Sequence, residues 1–332
     1  MECWILFHRE DYDTAEEAGC YEIRRIREAG TRAGVNIQVF TPERFHLVTS
    51  HTNNISVLLD GAEIETLPDV LLPRLGVLSS YFTLSIIRQF ERMGVLVFNG
   101  AGTISTVMDK MRTQQVLAHA GISVPKTMLA RFPVDVDLVE RTLGFPVVVK
   151  AISGTQGQGV LLSETPQQFK DIMHLVEESN PTAQIIFQEF IAETRGRDLR
   201  AFVIDGKIAG CMQRKAADGG FKANISNGGT GEAFALDAVG QDIALRTAKV
   251  LGLDIAGIDL LFSAGGYMVC EANSAPDFAG MEKYCHVKIA EEIVAAMKRR
   301  AARRRRPKII DDTRKFFGAL FTTPSGGNGM RA

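Results

Sequence analysis

Short apolar runs alternate with charged segments of helical period from the first residues onward, and this rhythm limits the fold more than any other feature. Residues 4–8, 35–40, 55–59, 69–73 and 95–98 read as strands, and 15–34 and 81–93 as helices between them. Strands that are apolar along their whole length leave no face for water, so both faces must be covered. The rhythm therefore predicts a parallel sheet flanked by helices over residues 1–98. With 332 residues, 45% of them hydrophobic, the chain has room for two or three domains with sizeable cores.

From residue 99 the pattern changes. Residues 106–120 read as one helix, opened by Thr106 and Asp109 and closed by Gly121. Residues 146–152, 159–162 and 184–190 read as strands, and 165–179 as a helix. Asp205-Gly206 marks a hairpin between strands at 198–204 and 207–213. A loop rich in glycine and lysine follows at 214–231. Then come a helix at 241–251, a hairpin of 257–262 with 267–271, and a last helix at 287–300.

Several classes are excluded early. No apolar run approaches the ~18 residues of a membrane span. The first residues lack the basic start and cleavage site of a secretory signal, so a cytoplasmic location is expected. Five scattered cysteines without CxxC spacing argue against a disulfide frame or a zinc site. Residues 298–332 hold 11 Lys/Arg and 2 Asp/Glu, a net of +9, so residues 1–297 carry −10 of the chain's −1. An acidic body is not that of a dedicated nucleic-acid-binding domain. Eight of the eleven residues 298–308 are basic. Such a run can bind RNA or ribosomal phosphates by counterion release; the plainer reading is a solvated, disordered end.

The sharpest chemical signal is Gly257-Ile258-Asp259-Leu260-Leu261 followed by Met268-Val269-Cys270-Glu271-Ala272-Asn273. The midpoint of Asp259 and Glu271 is Gly265, inside the turn Ser263-Ala264-Gly265-Gly266. The two acids should therefore face each other across the hairpin, and Asn273, two residues on, shares their face. Two acids and an amide, with no Lys or Arg nearby in sequence, suit a hard cation such as Mg²⁺ that also binds substrate phosphates. The competing reading, an exposed face with like charges opposed, is unfavourable.

Three weaker signals accompany it. Lys150 ends an apolar strand and precedes Ser153-Gly154-Thr155-Gln156-Gly157-Gln158-Gly159, whose glycines allow backbone amides to approach phosphate oxygens. A strand follows this loop, so it is neither a Walker loop nor a dinucleotide fingerprint. Gln188-Glu189-Phe190-Ile191 and Asp198 end or begin strands where an adenine edge and a ribose hydroxyl can be met; a solvated strand end explains them as well. Arg214-Lys215 and Phe221-Lys222-Ala223-Asn224 put cations and an amide in a glycine-rich loop that suits polyphosphate, or is simply solvated.

In this order, these pieces resemble the ATP-grasp ligases, and their wording resembles the RimK family. Met108-Asp109-Lys110, Val149-Lys150-Ala151-Ile152-Ser153-Gly154, Gln188-Glu189-Phe190-Ile191, Ala256-Gly257-Ile258-Asp259 and Glu271-Ala272-Asn273-Ser274-Ala275-Pro276 carry the likeness. Leu72-Pro73-Arg74-Leu75-Gly76 extends it to the first domain, and in all it covers about residues 1–299. The resemblance implies an α/β pre-ATP-grasp domain (1–98) and two α+β subdomains that sandwich ATP (99–188 and 189–300). The basic tail (301–332), read as disordered from its arginine run and lack of periodicity, has no place in the family core. It implies that Lys110 and Lys150 reach the ATP phosphates, with Gly154, Thr155, Gln156, Gly157 and Gly159 around them. Glu189 and Phe190 border adenine, Asp198 binds ribose, and Lys222, Ala223 and Asn224 line the nucleotide. Asp259, Glu271 and Asn273 hold two Mg²⁺ or Mn²⁺ ions. Arg214 and Lys150 are the implied catalytic cations, and Arg74 and Arg214 the nominated substrate contacts. The family has an arginine and a serine where this chain has Lys222 and Ala223, so the bidentate fork is lost.

The implied activity is ATP-dependent ligation of a carboxylate to an amine through an acyl phosphate, adding L-glutamate to a peptide or protein C-terminus. The same chemistry on a small acid or carrier with another amino acid, and a non-catalytic nucleotide-binding module with an RNA-binding tail, are the alternatives. A homodimer or homotetramer is implied by the family alone, and no membrane contact is expected.

Overall fold

The structure is a computed structural model and describes residues 1–15, 19–49, 55–152, 159–217 and 228–304. The chain opens with β1 (Glu2–Leu6), α1 (Cys20–Arg32), β2 (Asn36–Phe40), β3 (Phe45–Thr49), β4 (Ile55–Leu59), β5 (Ala62–Glu63), β6 (Val70–Pro73), α2 (Tyr81–Arg92) and β7 (Leu96–Val97). Four of these strands form the expected parallel sheet, in the order β2-β1-β6-β7. Its strands are buried on both faces. Cys3, Ile5, Val70 and Leu72 point to one side and Trp4, Leu6 and Leu71 to the other. On the second side Trp4, Phe40, Phe45 and Phe90 interlock, with centroids 4.8 Å apart for Trp4–Phe40 and an edge-on Phe45–Phe90 contact at 5.9 Å. Such pairs add ~0.5–1.5 kcal/mol each beyond their buried area.

The strand expected at 55–59 exists but lies outside this sheet. β4 pairs antiparallel with β3 and β5. Asp60 and Gly61, both at positive φ, make a two-residue link to β5, and so short a link joins only antiparallel neighbours.

The next stretch comprises α3 (Ala101–Met108), α4 (Lys110–His119), β8 (Thr127–Leu129), α5 (Val136–Leu143), β9 (Val147–Ala151), β10 (Val160–Ser163), α6 (Pro166–Ser179) and β11 (Ile185–Glu189). The single helix expected at 106–120 is two helices broken at Asp109. That residue is the cap of the second: its Oδ1 accepts the Arg112 amide at 2.9 Å. β10-β9-β11-β8 form an antiparallel sheet over their own core of Val139, Val147, Val149, Phe169, Met173 and Phe187.

The last stretch holds β12 (Arg197–Ile204), β13 (Lys207–Lys215), β14 (Thr230–Ala233), α7 (Ala238–Leu251), β15 (Ile255–Ser263), β16 (Gly266–Asn273), α8 (Ala279–Cys285) and α9 (Ile289–Arg303). Its five strands run β14-β13-β12-β15-β16, every pair antiparallel. Arg214 and Lys215, expected in a loop, end β13. α7 covers one face of this sheet. On the other face Phe202, Ile204, Met212 and Ile255 join Phe278 and the apolar side of α9, and the same core includes Ile5, Ile23 and Ile26 of the first unit. The helix expected at 287–300 runs three residues into the segment expected as tail; residues 305–332 lie outside the described residues.

Asn99 joins the two units. It sits at φ 62, is 1% exposed, and accepts from the Asp254 amide at 2.7 Å and the Ile255 amide at 3.2 Å. Its side-chain nitrogen donates to the carbonyls of Ile255 (2.6 Å) and Ser274.

Candidate active site

A row of charges crosses four neighbouring strands of the C-terminal sheet. Asp198 on β12 lies opposite Arg214 on β13, and Arg200 on β12 opposite Asp259 on β15. Asp259 in turn faces Glu271 on β16. The expected opposition of the two acids is therefore present, but a bulge creates it. Nearer the turn Leu260 faces Val269, while Asp259 faces Glu271, so Cys270 is the extra residue. In the register set by the turn alone Asp259 would meet Cys270.

Asp259 is not the unpaired acid its sequence neighbours suggest. Arg200 grips it through two bonds of 2.8 Å, and Arg214 Nη2 lies 3.0 Å away. Burial would raise its pKa; the two guanidinium groups outweigh that and hold it down at about 2. Arg214 is 4% exposed and also binds both oxygens of Asp198, at 2.6 and 2.7 Å. Burial pushes Asp198 up against that single shared partner. The opposite directions reflect the donors: Asp259 has two guanidinium groups and Asp198 has part of one.

Glu271 makes no hydrogen bond or ion pair among the described residues. Asn273 donates weakly to the Gly257 carbonyl at 3.5 Å, leaving its side-chain oxygen available. No group of three or more His, Cys, Asp or Glu arranged for a metal occurs among the described residues. An ion at this place would thus have Glu271, part of Asp259 and the Asn273 amide, with the remaining ligands supplied by substrate or water. An all-oxygen, incomplete set of this kind fits Mg²⁺ or Mn²⁺ on a polyphosphate.

Two lysines converge on the same place from outside the sheet. Lys150 on β9 lies 3.4 Å from the Cys270 sulfur and 2.5 Å from Gln188 Oε1. Lys110, the first residue of α4, donates to the Ile152 carbonyl at 3.1 Å. Burial pulls the Lys110 pKa down and nearby Lys150 adds to this, while Glu271 opposes both. Two half-buried ammonium groups at one site call for an anion.

The other nominated residues have other partners or lie outside the described residues. The Glu189 carboxylate accepts the Lys126 amide at 2.6 Å, and the Arg195 guanidinium lies 5.9 Å above the Phe190 ring. Gly159 immediately precedes the return strand β10, at φ 69. Gly154, Thr155, Gln156 and Gly157, and Lys222, Ala223 and Asn224, lie outside the described residues. Arg74 is buried directly after β6 and donates to the Pro276 carbonyl just beyond β16, outside the charge row itself.

Two contributors received no role from the sequence. Arg200 is two residues from Asp198, so it shares that residue's face; a polar pair at that spacing in an apolar strand was the available signal. Gln188 is 2% exposed and joins Lys150 to the Thr127 hydroxyl, with 2.9 Å to the latter. Its fixed amide orients the lysine.

A parallel first unit, followed by two antiparallel sheets that bring lysines and paired acids to one cleft, is the architecture of an ATP-grasp ligase, a class of enzymes that uses ATP and a divalent metal. The chain belongs to the RimK family: the RimK-like ATP-grasp domain matches residues 107–297, and the RimK pre-ATP-grasp domain residues 14–104. A probable alpha-L-glutamate ligase of Picosynechococcus sp. is 37% identical over 282 residues, covering 84% of this chain and 92% of that protein. One from Methanococcoides burtonii is 38% identical over 276 residues, covering 82% and 90%. Among solved structures, a RimK domain ATP-grasp protein of Sphaerobacter thermophilus aligns with TM-score 0.68 at 20% identity, covering 89% of this chain and 99% of that one. The ATP-grasp ligase PsnB, complexed with a variant of its minimal precursor, Mg and ADP, aligns with TM-score 0.67 at 20% identity, covering 89% and 97%. No helix among the described residues is long and apolar enough to cross a membrane.

Proposed function

We propose that this ligase joins L-glutamate, through its amine, to the C-terminal carboxylate of a peptide or protein, with ATP cleaved to ADP and phosphate. The observation that carries the reaction type is the meeting of Lys110 and Lys150 with the Asp259–Glu271 pair. The choice of glutamate rests on the names of the relatives, 37% and 38% identical.

A carboxylate does not condense with an amine at neutral pH because oxide is a poor leaving group. In the proposed course, a substrate carboxylate oxygen attacks the γ-phosphorus of ATP. The bond to the β-phosphate oxygen breaks and ADP departs. The amine nitrogen then attacks the acyl carbon, loses a proton, and phosphate leaves. Lys110 and Lys150 neutralise and orient the phosphates, and Gln188 fixes Lys150. Arg200 and Arg214 are positioning residues for Asp259. Contact of Arg214 with the transferred phosphoryl group, of Asp198 with ribose, and of Glu189 and Phe190 with adenine belong to the same proposal. Glu271, Asp259 and Asn273 would hold one or two divalent ions, which supply positive charge to the phosphate oxygens.

The test is phosphate release from ATP and Mg²⁺ across a panel of amino acids and peptides ending in glutamate, with mass spectrometry of the products. Products heavier by one glutamyl unit are expected. Glu271→Ala should lower kcat by ~10²–10³-fold with the fold retained. Turnover that needs another amino acid would replace the substrate and keep the reaction.

A further inference from the structure

We infer that Arg74 is a carboxylate-reading, specificity-determining residue of a substrate subsite on the first unit, and this rests on the ligase reading above.

The first support is topological. In the sheet order β2-β1-β6-β7 the chain leaves β1 toward β2 on one side and resumes at β6 on the other. The carboxyl ends of β1 and β6 therefore flank a switch point, where open parallel sheets bind ligands. Arg74 stands there. Leu6 and Pro73 are register partners, and the Arg74 amide donates to the Leu6 carbonyl at 2.9 Å.

The second is an unmet charge. The Arg74 side chain is buried, with the residue 6% exposed. Nη2 donates to the Pro276 carbonyl at 2.8 Å, and Nη1 has no hydrogen-bond partner among the described residues. No carboxylate lies within ion-pair distance of it among the described residues. Glu22 and Asp277 act on it only at longer range, and Glu22 Oε1 is already taken by the amides of Phe278 (2.8 Å) and Ala279 (2.9 Å). A buried guanidinium without a close counter-ion is costly, and a planar fork with a free edge is built for a carboxylate.

The third is position. The segment over Arg74 is the continuation of β16. A Cβ on Gly76 would lie 3.6 Å from the Ala275 Cβ, and one on Gly257 would lie 2.8 Å from the Pro276 Cβ. Pro276 is three residues beyond Asn273, a span of at most ~11 Å. Arg74 holds the Pro276 carbonyl. The Cβ on Gly257 that meets Pro276 would also lie 3.7 Å from the Arg200 Cδ, so Arg74 and the charge row border one segment. There a small substrate with its reacting group at the row can present a second carboxylate to Arg74. A dicarboxylic amino acid meets that requirement and a neutral one does not.

The test compares wild type with Arg74→Gln and Arg74→Lys, using ATP, Mg²⁺, L-glutamate, its α-amide, its γ-amide, and peptides ending in glutamate or glutamine. In wild type, amidation of one particular carboxylate should raise KM roughly 100-fold. Whether the free amino acid or the peptide shows this identifies the substrate held. Arg74→Gln should raise KM for the acid by a similar factor, leave KM for ATP unchanged, and abolish the preference over the amide; Arg74→Lys should restore part of it. A variant that keeps the preference overturns the inference while leaving the ligase reading intact. Should Arg74→Gln fail to fold, the wild-type series decides, since equal use of acid and amides also overturns it. Wild-type enzyme that ligates no acidic substrate overturns both readings.

Discussion

Asp259 shows how one residue sets a pH dependence. Its folded pKa is about 2, below the ordinary 3.8, so folding favours its charged form. The stability it contributes is complete above its ordinary pKa and is lost as pH falls toward 2. Denaturation midpoints measured from pH 5 down to pH 2 should drop in that window, and Asp259→Asn should flatten the drop. Gln188 is a second case. Gln188→Leu removes the partner of Lys150 without touching the charge row, and KM for ATP should rise by ~10-fold, read in steady-state kinetics. A variant with unchanged KM would show that Lys150 needs no such guide. Asp259 and Glu271 were legible in sequence because their midpoint falls inside the turn, although it is the bulge at Cys270 that brings them opposite each other. The arginine partners of Asp259 were not, because Arg200 and Arg214 meet it through strands distant in the chain.

At the scale of elements, the strands and most helices follow from apolar period, and the errors have local causes. The break at Asp109 is hidden by continuous helical pattern across 101–119; the capping side chain makes two helices of it. That break turns Lys110 into the first residue of α4 and aims it at the cleft. Asp109→Ala should cost ~1 kcal/mol, as loss of a cap does, and lower the thermal midpoint by ~2–4 °C. An unchanged midpoint would mean that the break is held by packing and not by the cap. The bulge at Cys270 was illegible for a different reason. The sequence midpoint gives the right opposition of acids, yet the actual turn is Ala264-Gly265, and one unpaired residue makes up the difference.

In the whole molecule, the first and last units share one core, while the central sheet has its own. Asn99 is the seam between the two that share. Its left-handed backbone and its bonds to Asp254, Ile255 and Ser274 go together, so Asn99→Ala should cost on the order of 3 kcal/mol, measured by urea denaturation. A loss under 1 kcal/mol would show that the shared core suffices. The seam was invisible in sequence because its partners are about 155 and 175 residues away. The position of α9 has a consequence for the birth of the protein. One face of the first sheet, with Cys3, Ile5, Val70 and Leu72, is finished by Ile293, Val294 and Met297. Those residues emerge from the ribosome about 220 positions after β6, roughly 10–45 s later at ordinary rates of synthesis. Throughout that interval the nascent chain carries an apolar face that α1 covers only in part.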